Sequence, residues 1–264
     1  MSSNGDVTAR PQLSYGDPRR AHELFALRSR AFAARIDGEA AGGRWVEIGG
    51  GFGFDWDGYR WVHDFGDEAL ARLDELLDWF QSGVAPMFET YCGESVQTTA
   101  QALTLLGYQP YHAHAFFAAP LGSLGSGEAG ADVEVSLDPH DFGRLGAQMW
   151  SEGDPARARA LTRQHEGSEW SCVTVIEHGR PVAGASLFFD GAYAFHANAL
   201  TLPECQGRGL HARLLRAHIE LARARGKTWI VADTQVGSGS GRNLERAGLR
   251  CVATCLHWQP LRQD

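Results

Sequence analysis

The chain has 264 residues, enough for one large domain or two of ordinary size. It is 44% hydrophobic and 21% charged, the balance of a soluble globular protein, and its formal net charge of -8 argues against a general nucleic-acid binder, which needs a basic surface. No apolar run is long enough to span a bilayer, and Met1-Ser-Ser-Asn-Gly-Asp6 has no apolar signal core. Five cysteines without a framework spacing read as free thiols, so a cytoplasmic protein with no membrane and no nucleic-acid partner is expected.

Residues 1–14 are polar and read as frayed. A helix is predicted over about Pro18 to Arg35, with Leu24, Leu27 and Ala31 at helical spacing and Phe25 and Phe32 beside them. Trp45 to Ile48 reads as a strand, and the glycine run 49–54 as a turn or bulged strand, because no helix starts after it. An amphipathic helix is expected over Asp67 to Gln81, on Leu70, Leu73, Leu77 and Phe80. Strand 84–90, helix 95–106 closed by Gly107, and strand 108–121 follow. The Gly/Ser-rich stretch Gly122 to Gly130 reads as a linker. The second half reads β-α-α-β-β-β-α-β-α-β: strand 133–135, helices 139–150 and 155–165, strands 170–177, 182–189 and 193–202, a helix from 210 to about 225, strand 228–232, a turn and short helix over 238–247, and strand 249–259.

The centre of this pattern is Leu200-Thr-Leu-Pro-Glu-Cys-Gln-Gly-Arg-Gly-Leu-His211, a strand, a glycine turn and a helix start. First-turn N–H groups have no intrahelical partner and the dipole puts partial positive charge there, which together suit a pyrophosphate. Arg208 adds a full positive charge. The turn resembles the acyl-CoA-binding motif of the GNAT superfamily of N-acetyltransferases, Arg/Gln-x-x-Gly-x-Gly/Ala, with Gln206 and Gly209 at the first and fourth positions and His211 departing at the sixth. Gly237-Ser-Gly-Ser-Gly-Arg-Asn-Leu-Glu-Arg-Ala-Gly-Leu249 resembles a second GNAT segment, Ser-x-Arg-Asn-x-x-Arg-x-Gly-Phe. The resemblance covers about 133–258. It implies acetyl-CoA as co-substrate, held by Gln206, Gly207, Arg208, Gly209, Leu210 and His211, by the backbone of Leu200, Thr201 and Leu202, and by Ser240 and Asn243.

Gly107 to Phe117 echoes Gly248 to Trp258, and the helix-strand pair before each also matches. The expectation is an α/β (α+β) protein of two GNAT-like lobes, each a mixed, mostly antiparallel twisted sheet flanked by helices. The N-terminal domain would span 1–121, the linker 122–131 and the acetyltransferase domain 132–264. The first lobe has Asp64-Phe-Gly-Asp67 where the phosphate turn would stand, so one cofactor site is expected, in the second half.

The reaction implied is attack of an amine on the thioester, which needs a base, an oxyanion donor and an acid for the thiolate. Backbone N–H groups at 200–202 are the expected oxyanion donors. Many family members place a tyrosine acid where this chain aligns Leu244. Candidate bases are His196, on the strand entering the motif, and Asp233, at the end of the next strand, with Glu204 near the motif but read as exposed. His196 also reads as a plain hydrogen-bonded strand histidine, and Asp233 as a turn cap. His112 and His114 share a strand face, but no third ligand stands at useful spacing, so no metal is expected. Cys251 and Cys255 read as core residues on one face. The function expected is N-acyl transfer to a small-molecule amine by a monomer or homodimer. A non-catalytic acyl-CoA sensor and a protein or lysine acetyltransferase stand as alternatives.

Overall fold

The computed structural model describes residues 18–37, 43–56, 59–80, 85–92, 96–125 and 134–261. The expected frayed segment 1–14 and most of the expected linker lie outside these residues. The elements are α1 (Pro18–Asp37), β1 (Arg44–Ile48), β2 (Gly51–Trp56), β3 (Tyr59–His63), α2 (Asp67–Leu70), α3 (Leu73–Phe80), β4 (Met87–Tyr91), α4 (Val96–Leu105) and β5 (Tyr108–Pro120) in the first half. The second half has β6 (Glu134–Ser136), α5 (Pro139–Trp150), α6 (Pro155–Arg163), β7 (Trp170–Glu177), β8 (Arg180–Asp190), β9 (Tyr193–Thr201), α7 (Leu210–Ala224), β10 (Trp229–Gln235), α8 (Gly239–Arg246) and β11 (Arg250–Pro260).

Local chemistry explains many of the boundaries. Gly49 and Gly50, both at positive φ, make the two-residue turn between β1 and β2, a backbone that a β-branched residue would strain. Asp138 and Asp154 each accept a hydrogen bond from the backbone N–H two residues on, and a proline follows each at the first helical position. The helix expected over 67–81 is broken at Ala71–Arg72, where Arg72 N–H turns back to Ala69 O in a tighter loop before α3 restarts.

Each half contains an antiparallel run, a crossover helix or helix pair, and a parallel strand: β3 with β4, and β9 with β10. All eleven strands form one sheet in the order β1-β2-β3-β4-β11-β5-β10-β9-β8-β7-β6. The closing strands are exchanged. β5 leaves the first half and pairs with β10, whereas β11 leaves the second half and pairs with β4. The two closing strands pair with each other in the middle, antiparallel from Tyr108↔Pro260 to Ala118↔Arg250. The cores follow the exchange: Trp258 of β11 packs with Phe65, Phe88 and Leu103, whereas Phe117 and Ala119 of β5 pack with Leu187, Leu215 and Leu244.

Helices α5 and α7 cover one face of the second-half strands, and α1 covers the other. Leu24, Leu27 and Ala31 are buried as the helical spacing predicts, and Phe25 meets Phe116 at 4.3 Å between ring centroids. Burying each of these leucine and phenylalanine side chains stabilises by about 1.5–3 kcal/mol. Arg28 occupies the same stripe, one turn beyond Leu24, and is only 3% exposed. At the start of the expected linker, Leu121 and Leu124 are buried and Arg223 Nη2 donates to both of their carbonyls, at 2.8 and 2.6 Å. A bulge between Cys251 and Ala253 corrects the reading of the two β11 cysteines: Cys255 is buried and Cys251 is exposed.

Candidate active site

The parallel ladder between β9 and β10 runs only from Tyr193↔Trp229 to His196↔Ala232. Beyond it the strands part, and β10 continues along β5 alone to Gln235. On its far side β9 stays paired with β8, with an extra residue inserted around Asn198, which takes φ +51° and donates from Nδ2 to Ser186 Oγ at 3.0 Å. The edge of residues 197–201 that faces β10 therefore has no strand partner. Leu200 and Leu202, named from the sequence, lie buried on the closed side of this split, and Leu202 N–H is tied to Val182 O.

On the α7 face the phosphate-type turn has formed. Gly207 and Gly209 both take positive φ, and Gly209 caps α7 without any side-chain cap, leaving first-turn N–H groups open. Arg208 is exposed but not free: its guanidinium makes a two-pronged contact with Glu177, at 3.0 and 2.7 Å. Ser240 Oγ lies 3.3 Å from His211 Nε2, and Asn243 Nδ2 lies 3.2 Å from His211 Nδ1, so α8 and the α7 start are brought together as expected. Leu244 is buried in the core below. Glu204 pairs with Arg180 at the surface.

On the opposite face, under α1, lies a cavity of about 380 Å³. Its walls include Ala197 and Asn198 of β9 and Asp233 and Thr234 of β10, on either side of the split. Asp233 Oδ2 is 3.1 Å from His114 Nδ1 and 3.1 Å from Arg28 Nη1. Despite burial, the His114 contact and the Arg28 charge hold its carboxyl below the usual range. Arg28 also pairs with Glu89. His257 Nε2 lies 2.9 Å from Glu89 Oε2, off the ideal hydrogen-bond line. Against its burial, Arg28 and His257 keep Glu89 well below the carboxylate range. Arg35 fastens α1 over the cavity, reaching Gln164 Oε1 at 3.0 Å and Asn198 Oδ1 at 3.5 Å.

Of the three sequence candidates for the base, Glu204 is exposed and the other two separate. Asp233 lines the cavity. His196 points to the other face, 96% buried, with Nδ1 2.7 Å from His218 Nδ1, and burial pushes its pKa well below 6.5. In the sequence His114 stands out only beside its neighbour His112. The reading that no third ligand accompanies that pair is also corrected, because β11 sets His257 opposite His112. Neither relationship has a signal in local spacing. Arg28 and Arg35 had one: both sit on the apolar stripe of α1, seven residues apart.

A split parallel pair, a bulged strand and a glycine-capped crossover helix mark the second half, and the first half repeats its order of antiparallel strands, crossover helices and parallel strand. Residues 139–243 match the model of the acetyltransferase (GNAT) family. Residues 139–243 thus form a GNAT-family domain, and the one large sheet shared by the two halves fits a tandem GNAT-like architecture. Among solved structures it is similar to the GCN5-related N-acetyltransferase from Kribbella flavida, at 20% identity over 87% of this chain and 94% of that one, with a TM-score of 0.62. It is also similar to a GCN5-related N-acetyltransferase from Sphaerobacter thermophilus, at 14% identity over 81% and 78%, TM-score 0.60. A third is a tandem GNAT protein from the clavulanic acid biosynthesis pathway, without AcCoA, at 12% identity over 91% and 93%, TM-score 0.56. These likenesses concern the fold. No curated protein matches the sequence. Among the described residues no helix is long and apolar enough to cross a membrane.

Proposed function

We propose that the protein is an acyl-CoA-dependent N-acyltransferase that moves an acetyl group from acetyl-CoA to the amine of a small molecule. The observation that carries this reading is the position of the cavity, walled by β9 and β10 where they part, with the α7 N-terminus on the other face of the sheet. In this reading the pyrophosphate lies on the 206–211 turn with Arg208, and Ser240 and Asn243 flank the pantetheine. The arm enters the split and bonds the open backbone edge of 197–201. The acceptor fills the cavity, whose volume of about 380 Å³ suits a small molecule. The domain division at 122–131 belongs to the same proposal, with the first lobe supplying α1 and β5 to the site of the second.

The chemistry follows from the side chains present. Asp233 accepts from His114 Nδ1–H and fixes the tautomer, so the Nε2 lone pair of His114 takes the proton of the attacking ammonium. The neutral nitrogen attacks the thioester carbon, and a backbone N–H of the open β9 edge stabilises the oxyanion. The adduct nitrogen gives up its second proton to solvent, the C–S bond breaks to leave the amide, and the thiolate is protonated from solvent, because Leu244 is buried in the core and offers no acid.

The test begins with calorimetric titration of acetyl-CoA against free pantetheine, followed by thiol release in a screen of amines. Tight acetyl-CoA binding that depends on the nucleotide portion, with CoA freed by some amine, supports the enzyme. Binding without release under any amine would favour an acyl-CoA sensor, a reading kept in view by Leu244. No binding at all would sink both.

A further inference from the structure

The exchange of closing strands gathers three histidines that the sequence scatters. His112 and His114 extend from one face of β5, and His257 stands directly opposite His112 on β11. Ring centroids are 5.2 Å apart for His112 and His114, and 4.5 Å for His257 against each of them. One ligand-capable atom from each ring lies within 4.8 Å of the other two. The ladder between β5 and β11 holds all three, so the cluster does not depend on a mobile loop.

Two of the rings are also oriented from behind by carboxylates. His114 Nδ1 faces Asp233 at 3.1 Å, which leaves the Nε2 lone pair open. His257 Nε2 stands 2.9 Å from Glu89 Oε2 without hydrogen-bond alignment, and its buried Nδ1 also has no hydrogen-bond partner. Metal-bound imidazoles characteristically carry a carboxylate on the second nitrogen, because it fixes the ring and makes the ligating nitrogen more basic.

We propose that His112, His114 and His257 form a binding site for one divalent transition-metal ion of the zinc class. Three neutral imidazoles suit zinc, cobalt, nickel or copper and are poor ligands for magnesium or calcium. A tetrahedral site with bonds of about 2.0 Å spaces its nitrogens by about 3.3 Å, so the ring tips close by about 1.5 Å on binding. Side-chain torsions supply that movement, and the fourth position stays open to water. The consequence for activity rests on His114 being the base: a metal on Nε2 occupies the lone pair that accepts the substrate proton, so zinc inhibits acyl transfer.

The experiment uses the untagged full-length protein after treatment with chelator. Zinc is titrated by calorimetry and cobalt by visible absorption. One equivalent should bind, cobalt should show the intense bands of a four-coordinate site, and affinity should fall on the order of 100-fold in His112→Ala and in His257→Ala. His112 does not line the cavity, so His112→Ala should keep its acyl transfer and lose its inhibition by zinc. Circular dichroism of each variant separates loss of a ligand from loss of fold. No stoichiometric binding to the wild type, or unchanged binding in natively folded His112→Ala and His257→Ala, overturns the site. Histidine-dependent binding without inhibition upholds the site and overturns His114 as the base.

Discussion

His114 Nδ1 lies 3.1 Å from Asp233 Oδ2, across 119 positions of sequence, because the closing strand of the first half lies against β10 of the second. A second pair, His257 and Glu89, is made by the reciprocal exchange. Arg28 of α1 sits between the two carboxylates and pairs with both.

If His114 takes the proton and Asp233 orients it, His114→Ala and Asp233→Asn should each lower kcat by about 10²–10⁴-fold. Acetyl-CoA affinity should stay near the wild-type value, since both residues lie on the acceptor side of the sheet. Steady-state rates alongside calorimetry check the pair. His196→Gln should leave the rate far less affected, and a loss as deep as that of His114→Ala would return the base to the α7 face.

Arg208→Glu should sharply weaken acetyl-CoA binding, because it puts a negative charge beside the open N–H groups of α7. Glu177→Gln tests the same site from the other side. It removes the half-buried partner that Arg208 must release, and should tighten binding severalfold. Equal affinity in all three proteins would displace the pyrophosphate from this turn.

Arg28→Met removes the only group seen pairing with both Glu89 and Asp233 among the described residues. Leaving buried carboxylates uncompensated costs about 3–5 kcal/mol, so a large fall in the urea midpoint is expected. The double variant Arg28→Met/Glu89→Gln should recover part of that loss. A single variant as stable as the wild type would mean that the carboxylates take up protons at no measurable cost.

Acid should destabilise the fold through histidines held neutral. Burial lowers His165 and His218 to about 3. Their folded pKa lies below the unfolded value, so their contribution is complete above about pH 6.5 and is lost as pH falls towards 3. Each adds a slope of up to about 1.4 kcal/mol per pH unit between those limits. Urea unfolding from pH 7.5 to 5 measures it, and His165→Gln should remove about one proton's worth of slope. An unchanged slope would show that His165 titrates normally in the fold.

The sequence by itself determined what is built from near neighbours. The strand, glycine turn and helix over 193–224 were legible because their signals lie within a few residues of each other, and so were the helices that start at Pro139 and Pro155. The tandem order was legible because each half repeats the same local succession of elements. The break at Ala71–Arg72 was not, since the apolar stripe runs through it without interruption. Only the tertiary structure decided which strand lies beside which. Alternation of apolar residues tells a strand which face to bury but not which neighbour to take, and β5 and β11 each satisfy the same pattern in either half. That choice of neighbour set His114 against Asp233 and His257 against both Glu89 and His112, and with it the chemistry under α1.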